Sequence, residues 1–182
     1  MSGDGPLHRL VAEHAGATER RLVALHGRLL AGELEPEGFV DLAAALIGRA
    51  NARAVAVADL SLAAATSAAT GRAVPALGLA DRGDGAGLRE ALGTLLSAVE
   101  GEDDPSPRVA RLGRSEPLQA FQRGYSAAMQ ARRVPGYRRI LNEGACQLCR
   151  WLEAGGRVYP ASKAFFSHQG CGCVPEPVFR AD

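Results

Sequence analysis

At 182 residues and a formal charge of +1, the chain is long enough to bury one full core, or a helical domain with a small appendage, so a fold that needs disulfides is unnecessary. Apolar residues make up 47% but aromatics only 5%, which predicts an alanine-rich, mainly helical interior with closely packed helices. Residues 1–104 carry 9 basic and 15 acidic side chains, net −6, and residues 105–182 carry 12 and 5, net +7. The basic part is suited to nucleic acid or an acidic partner, or to internal pairing with the acidic part.

Arginines and aspartates punctuate even the most alanine-rich stretch, so no uninterrupted run of about eighteen apolar residues suggests a membrane span. Met1 to Leu10 lacks the basic-then-apolar layout of a signal peptide, which points to a reducing compartment. Lys163 is the only lysine, a bias that a GC-rich coding sequence explains as well as any demand for bidentate contacts.

In chain order, Leu7, Leu10, Val11, His14, Leu22, Leu25 and Leu29 recur at helical spacing and predict a helix from Pro6 to about Ala31, closed by Gly32 and Pro36. A second, long helix is predicted from Glu37 to about Ala69, with Phe39, Ala43, Leu46, Ile47, Ala50, Ala54 and Val57 in one stripe. Gly71 to Gly87 is glycine- and proline-rich and reads as a loop or linker by composition, with poor order one outcome open to it. Leu88, Leu92, Leu95, Leu96 and Val99 predict a third helix, ended by Gly101 and the acidic run Glu102 to Pro107. A fourth is expected to start at Ser115 or Glu116 with Pro117 in its first turn, where a missing N–H is harmless. Its apolar face is Leu118, Phe121, Tyr125, Ala128 and Met129, and Val134-Pro135-Gly136 ends it. Beyond that turn the pattern becomes strand-like at Tyr137–Leu141, Arg157–Tyr159 and Val174–Phe179, the last with prolines suited to an edge. The expected fold is mainly α with a small α+β C-terminal module: an alanine-rich helical region over 1–104, then a module with helix, short strands and a Cys/His site over 105–182.

All four cysteines lie in the C-terminal part. Cys146 and Cys149 form a C-x2-C pair, and His168, Cys171 and Cys173 form H-x2-C-x-C. Such spacing lets two turning backbones each place two ligands on one ion, and two turns brought together complete a tetrahedron, as structural zinc sites require. Five candidates compete for four places. Cys146 and Cys149 rank first and His168 next, while the choice between Cys171 and Cys173 stays open, since residues two apart in a strand point the same way. Two disulfides or free thiols are the competing reading, disfavoured in a reducing compartment. A saturated site has no open position for catalysis. The deaminase pattern fails too, because Ala145 precedes the first cysteine and no His-x-Glu occurs, and an HNH-type nuclease would need a second histidine beyond His26 besides His168.

His8, His14 and His26 do not share a metal-binding face and read as ordinary surface or half-buried residues. Arg132, Arg133, Arg138 and Arg139 form the densest basic cluster, a candidate contact for phosphates, a partner, or Glu102, Asp103 and Asp104. Trp151, Tyr159, Phe165 and Phe166 are expected to form a small apolar core closed by the metal.

Cys146-Gln-Leu-Cys149, Gly156-Arg157-Val158-Tyr159 and His168-Gln-Gly-Cys171-Gly-Cys173, preceded by a helix leading into Tyr137-Arg138-Arg139-Ile140, together resemble the C-terminal region of the phage Mu F-like minor head proteins. The resemblance covers roughly residues 110–179. It departs where Gln169 and Gly172 stand in place of a common proline and arginine. What the resemblance implies is a minor capsid structural protein with a structural Zn2+ and no catalytic site, acting in head assembly near the portal and in genome packaging or delivery. The implied partners are the portal and/or major capsid protein, with packaged double-stranded DNA a further candidate, and neither a membrane nor a small-molecule substrate. The implied location is the virion, in the capsid interior or near the portal, and the host cytoplasm during assembly. The alternative is a zinc-stabilised nucleic-acid-binding regulator.

Overall fold

A computed structural model describes residues 5–81, 83, 85–97 and 106–179. Over these residues the chain is mainly helical with one small antiparallel sheet: α1 (Pro6–Leu30), α2 (Pro36–Thr70), α3 (Gly85–Ser97), α4 (Ser106–Ala131), β1 (Gly136–Ile140), α5 (Gln147–Glu153), β2 (Val158–Pro160) and β3 (Val174–Val178). Both long N-terminal helices start on a proline in the first turn, whose fixed φ suits that position. Gly71 ends α2 in the left-handed conformation, φ 68°, which costs a residue without Cβ nothing. By length and composition α2 is apolar enough to cross a membrane, yet its stripe of Phe39, Ala43, Ile47, Ala54, Ala58 and Leu62 is the centre of the packed interior.

Three sequence expectations are corrected here. First, α4 begins about ten residues ahead of Ser115, with Pro117 inside the helix rather than in its first turn. An internal proline forfeits one backbone hydrogen bond and crowds the preceding turn. Tertiary packing outweighs that cost: Val109 is wholly buried among Leu22, Phe39, Ile47 and Leu92, and Gly113 lies so close to α1 that an added Cβ would sit 3.0 Å from the Glu19 Cα. Three turns on, Gly124 makes the same approach to α2, 3.1 Å from the Val55 Cα. Second, residues 72–81 form a loop as expected, but one that is strapped down rather than poorly ordered. The buried Asp59 carboxylate accepts from the backbone N–H of Leu77 (3.0 Å), Gly78 (2.8 Å) and Leu79 (3.3 Å), and Ser67 Oγ accepts from Val74 N–H at 2.9 Å. Third, the segment between the first two strands contains the helix α5. The expected Val99 and the acidic residues Glu102, Asp103 and Asp104 lie outside the described residues.

The sheet has the order β2-β1-β3. In its register Tyr137 faces Tyr159, and Arg139 faces Pro175. Gly136 permits the β1–β2 pairing, because a Cβ there would lie 2.6 Å from the Tyr159 carbonyl oxygen. Pro175 and Pro177 sit on the edge strand β3, where a missing N–H is tolerated. One buried cluster runs without a break from Val11 and Ala15 of α1, through Val55 and Leu62 of α2 and Phe121 and Tyr125 of α4, to Cys149, Cys171 and Cys173. A second fills the other end of the helices around Leu22, Phe39, Ile47 and Leu92.

Candidate metal centre

Cys146 is the N-cap residue of α5, and Cys149 lies in its first turn. The C-x2-C spacing therefore reads as a helix start, which puts both sulfurs at the end where the helix dipole favours negative charge. The H-x2-C segment closes as a tight turn, with Cys171 N–H donating to the His168 carbonyl at 3.0 Å and Gly170 at φ 75°. The fold brings both segments together. Cys146, Cys149 and His168 form one triad of ligand atoms, and Cys149, Cys171 and Cys173 form another, each within 4.8 Å.

Within each triad the measured separations are close to those of ligands around one small ion. His168 Nε2 is 3.2 Å from Cys146 Sγ and 3.4 Å from Cys149 Sγ, and Cys149 Sγ is 3.6 Å from Cys171 Sγ. A tetrahedron with ordinary zinc–sulfur and zinc–nitrogen bonds has edges of about 3.8 Å between sulfurs and about 3.6 Å from sulfur to nitrogen. His168 Nδ1 donates to the Gln169 carbonyl at 2.9 Å, an outer contact that fixes the ring and leaves Nε2 for the ion. Cys173 is engaged elsewhere, its Sγ donating to Asn142 Oδ1 at 3.2 Å. The five residues thus form a cluster compatible with a metal site, and all four cysteines are free thiols.

Electrostatics divide the four thiols. At Cys146 the backbone N–H of Cys149, turned toward the sulfur without closing a cap bond, lowers the thiol below its ordinary value. Burial, with Cys171 beside it, pushes Cys149 up to about 12. Cys171 falls to about 5, chiefly through the neighbouring Cys173 side chain, with help from the Cys149 thiol and the Arg139 guanidinium. Cys173 is raised by its closeness to Cys171 and by burial. The Gln169 carbonyl raises His168. Protonation is shared within one network, as expected of closely spaced thiols.

Sequence reasoning missed three supports of this centre. Arg139, buried at 3% exposure, places Nη1 3.8 Å from both Cys149 Sγ and Cys171 Sγ, donates from Nη2 to the Phe166 carbonyl, and lies 4.0 Å over the Phe165 ring. Gln122, buried on α4, donates from Nε2 to the carbonyls of Cys171 and Cys173, both at 2.8 Å. Asn142 is the third. A polar residue between Leu118, Phe121 and Tyr125 on an apolar helix face was a visible signal for Gln122. None existed for Asn142.

The four arginines do not form one surface patch. Arg139 is withdrawn from any contact with nucleic acid by its burial, and Arg132 is mostly covered, 3.6 Å from Asp59 with its guanidinium also on the Pro75 carbonyl. Arg133 is exposed and Arg138 half-buried. The expected aromatic core also changes: Trp151 and Phe166 are 69% and 53% exposed, because α5 turns Cys149 rather than its aromatic inward. The real aromatic group is Tyr137 with Tyr159 at 5.6 Å and Phe165 at 5.7 Å. His8 and His26 are more buried than expected, and His14 bonds the Ala50 carbonyl at 2.8 Å. None of the three joins the cysteine cluster. Comparison with known protein families, curated proteins and solved structures finds no match.

Proposed function

We propose that the chain is a structural protein, a minor capsid component of a tailed-phage head, whose C-terminal half is pinned by one zinc ion on Cys146, Cys149, His168 and Cys171. The observation that carries the pin is the buried Cys149 sulfur, shared by both triads and 3.4 Å from His168 Nε2 and 3.6 Å from Cys171 Sγ. Thiolate and imidazole donors suit zinc. Four protein ligands leave no open position, so the bound ion supplies a cross-link between the start of α5 and the turn before β3 rather than a reactive water. The fifth candidate, Cys173, stays with Asn142 as a neighbouring thiol.

The placement in a head near the portal rests on the motif resemblance of residues 110–179, and the portal and major capsid proteins are its natural partners. The nucleic-acid-binding reading is weaker, because Arg139 and Arg132 are turned to Cys149, Cys171 and Asp59 instead of to solvent.

Elemental analysis of the purified chain with thiol titration tests the pin. The expected result is about one zinc per chain, with thiols shielded until a chelator removes it. Cys149→Ser should lose the metal and become protease-sensitive over 136–179, whereas Cys173→Ser should keep it. A metal-free wild type with four reactive thiols would overturn the reading. The head assignment is tested by quantifying the chain in purified virions of the source genome, where its absence would sink that part alone.

A further inference from the structure

Far from the cysteines, a groove of about 420 Å³ runs between α1 and α2. Its lining includes the apolar Leu10, Leu46, Val57 and Phe121 beside the polar His14 and Thr18, and Leu10 remains 44% exposed. Its walls are fixed in place by the His14 bond to the Ala50 carbonyl, which ties the middle of α1 to the middle of α2. Three arginines, Arg21, Arg49 and Arg53, stand along the groove, all exposed. None of them has an ion-pair or hydrogen-bond partner among the described residues.

This is a reversal of local charge. Residues 1–104 are acidic overall, yet among the described residues Glu13 is the one acidic side chain that lines the groove. Arg49 and Arg53 are one turn apart on α2, and Arg21 stands on the opposite wall. Groove-lining residues run from Leu10 to Arg21 on one helix and from Leu46 to Val57 on the other, which at the helical rise is about 16 Å, the length of three helical turns. An open trough of that length with apolar lining residues and cationic walls matches the helix-in-groove mode of recognition. Duplex DNA or a small anion would use the cations but gain nothing from the apolar lining.

We propose that this groove docks an acidic amphipathic helix of a partner protein. Apolar side chains at i, i+3 or i+4, and i+7 lie on Leu10, Leu46 and Val57, and carboxylates on its flanks pair with Arg21, Arg49 and Arg53.

The test uses the full chain and two fluorescent helical peptides of three to four turns, alike in their leucine stripe, one flanked by glutamates and the other by lysines. Anisotropy should show saturable binding of the glutamate peptide that weakens with salt, and at least tenfold poorer binding of the lysine peptide. The double variant Arg49→Glu plus Arg53→Glu, at exposed positions where the fold is not at stake, should weaken the glutamate peptide about tenfold and recover the lysine peptide. Equal binding of both peptides, or of neither, would overturn the proposal. So would displacement of the glutamate peptide by equimolar duplex DNA, or by dodecanoate, which would hand the groove to nucleic acid or to a small amphiphile.

Discussion

Asp59 shows what one side chain accomplishes in this chain. Burial alone would raise its carboxyl, but the N–H groups of Leu77, Leu79 and Gly78 and the charge of Arg132 together hold it below its ordinary value of 3.8. A lowered native value means the stabilisation is complete above the unfolded value and is lost as pH falls through the native one. Asp59→Asn should therefore cost about 1–3 kcal/mol at neutral pH, and urea titrations should show the gap to wild type narrowing below about pH 4. Gln122→Leu is expected to cost a similar amount, because the carbonyls of Cys171 and Cys173 lose their donors. Its clearest sign should be faster loss of metal to a chelator. The partners of both residues were hidden from the sequence for the same reason. Gln122 meets partners 49 and 51 positions away, and Asp59 reaches across 18 to 20 positions into a loop without periodicity. The cysteine and histidine ligands, by contrast, announce themselves through local spacing that backbone turns dictate.

At the level of elements, the long helices and the three strands follow directly from hydrophobic period and turn residues, and apart from the start of α4 their ends fall close to the expected ones. The failures have physical causes. α5 has seven residues, too few to display a helical period, so only the C-x2-C marks its start. The early start of α4 depends on Val109 and Gly113 meeting α1 and the second cluster, which no local rule about Pro117 foresees. The other end of α4 carries a further prediction. Val134 N–H bonds the Met129 carbonyl and Arg133 N–H the Gln130 carbonyl, a Schellman closure with Arg133 at φ 53° where glycine is preferred. Arg133→Gly should stabilise the fold by about 0.5–1 kcal/mol, read as a higher denaturation midpoint with an unchanged m-value.

For the whole molecule, the continuous buried cluster matters more than the change of composition near residue 105. Leu118, Phe121 and Tyr125 of α4 are covered partly by α1 and α2. A fragment of residues 106–182 would expose that face, at a cost of about 1.5–3 kcal/mol for each large side chain returned to water. It is expected to be poorly soluble and to bind zinc more weakly than the full chain, which size-exclusion chromatography and competition with a chromogenic chelator would measure.

Arg139 gives the centre one more property. On the proposed ligand set a divalent ion held by three thiolates and a neutral imidazole would carry a net charge of −1, and the buried guanidinium 3.8 Å from Cys149 Sγ and Cys171 Sγ would return the assembly to electroneutrality. A neutral knot can be enclosed without a counter-ion from solvent. Loaded in that way it would project little field, neither drawing an anion nor sharpening the acidity of water beside it, which suits the proposed fastener between chain segments.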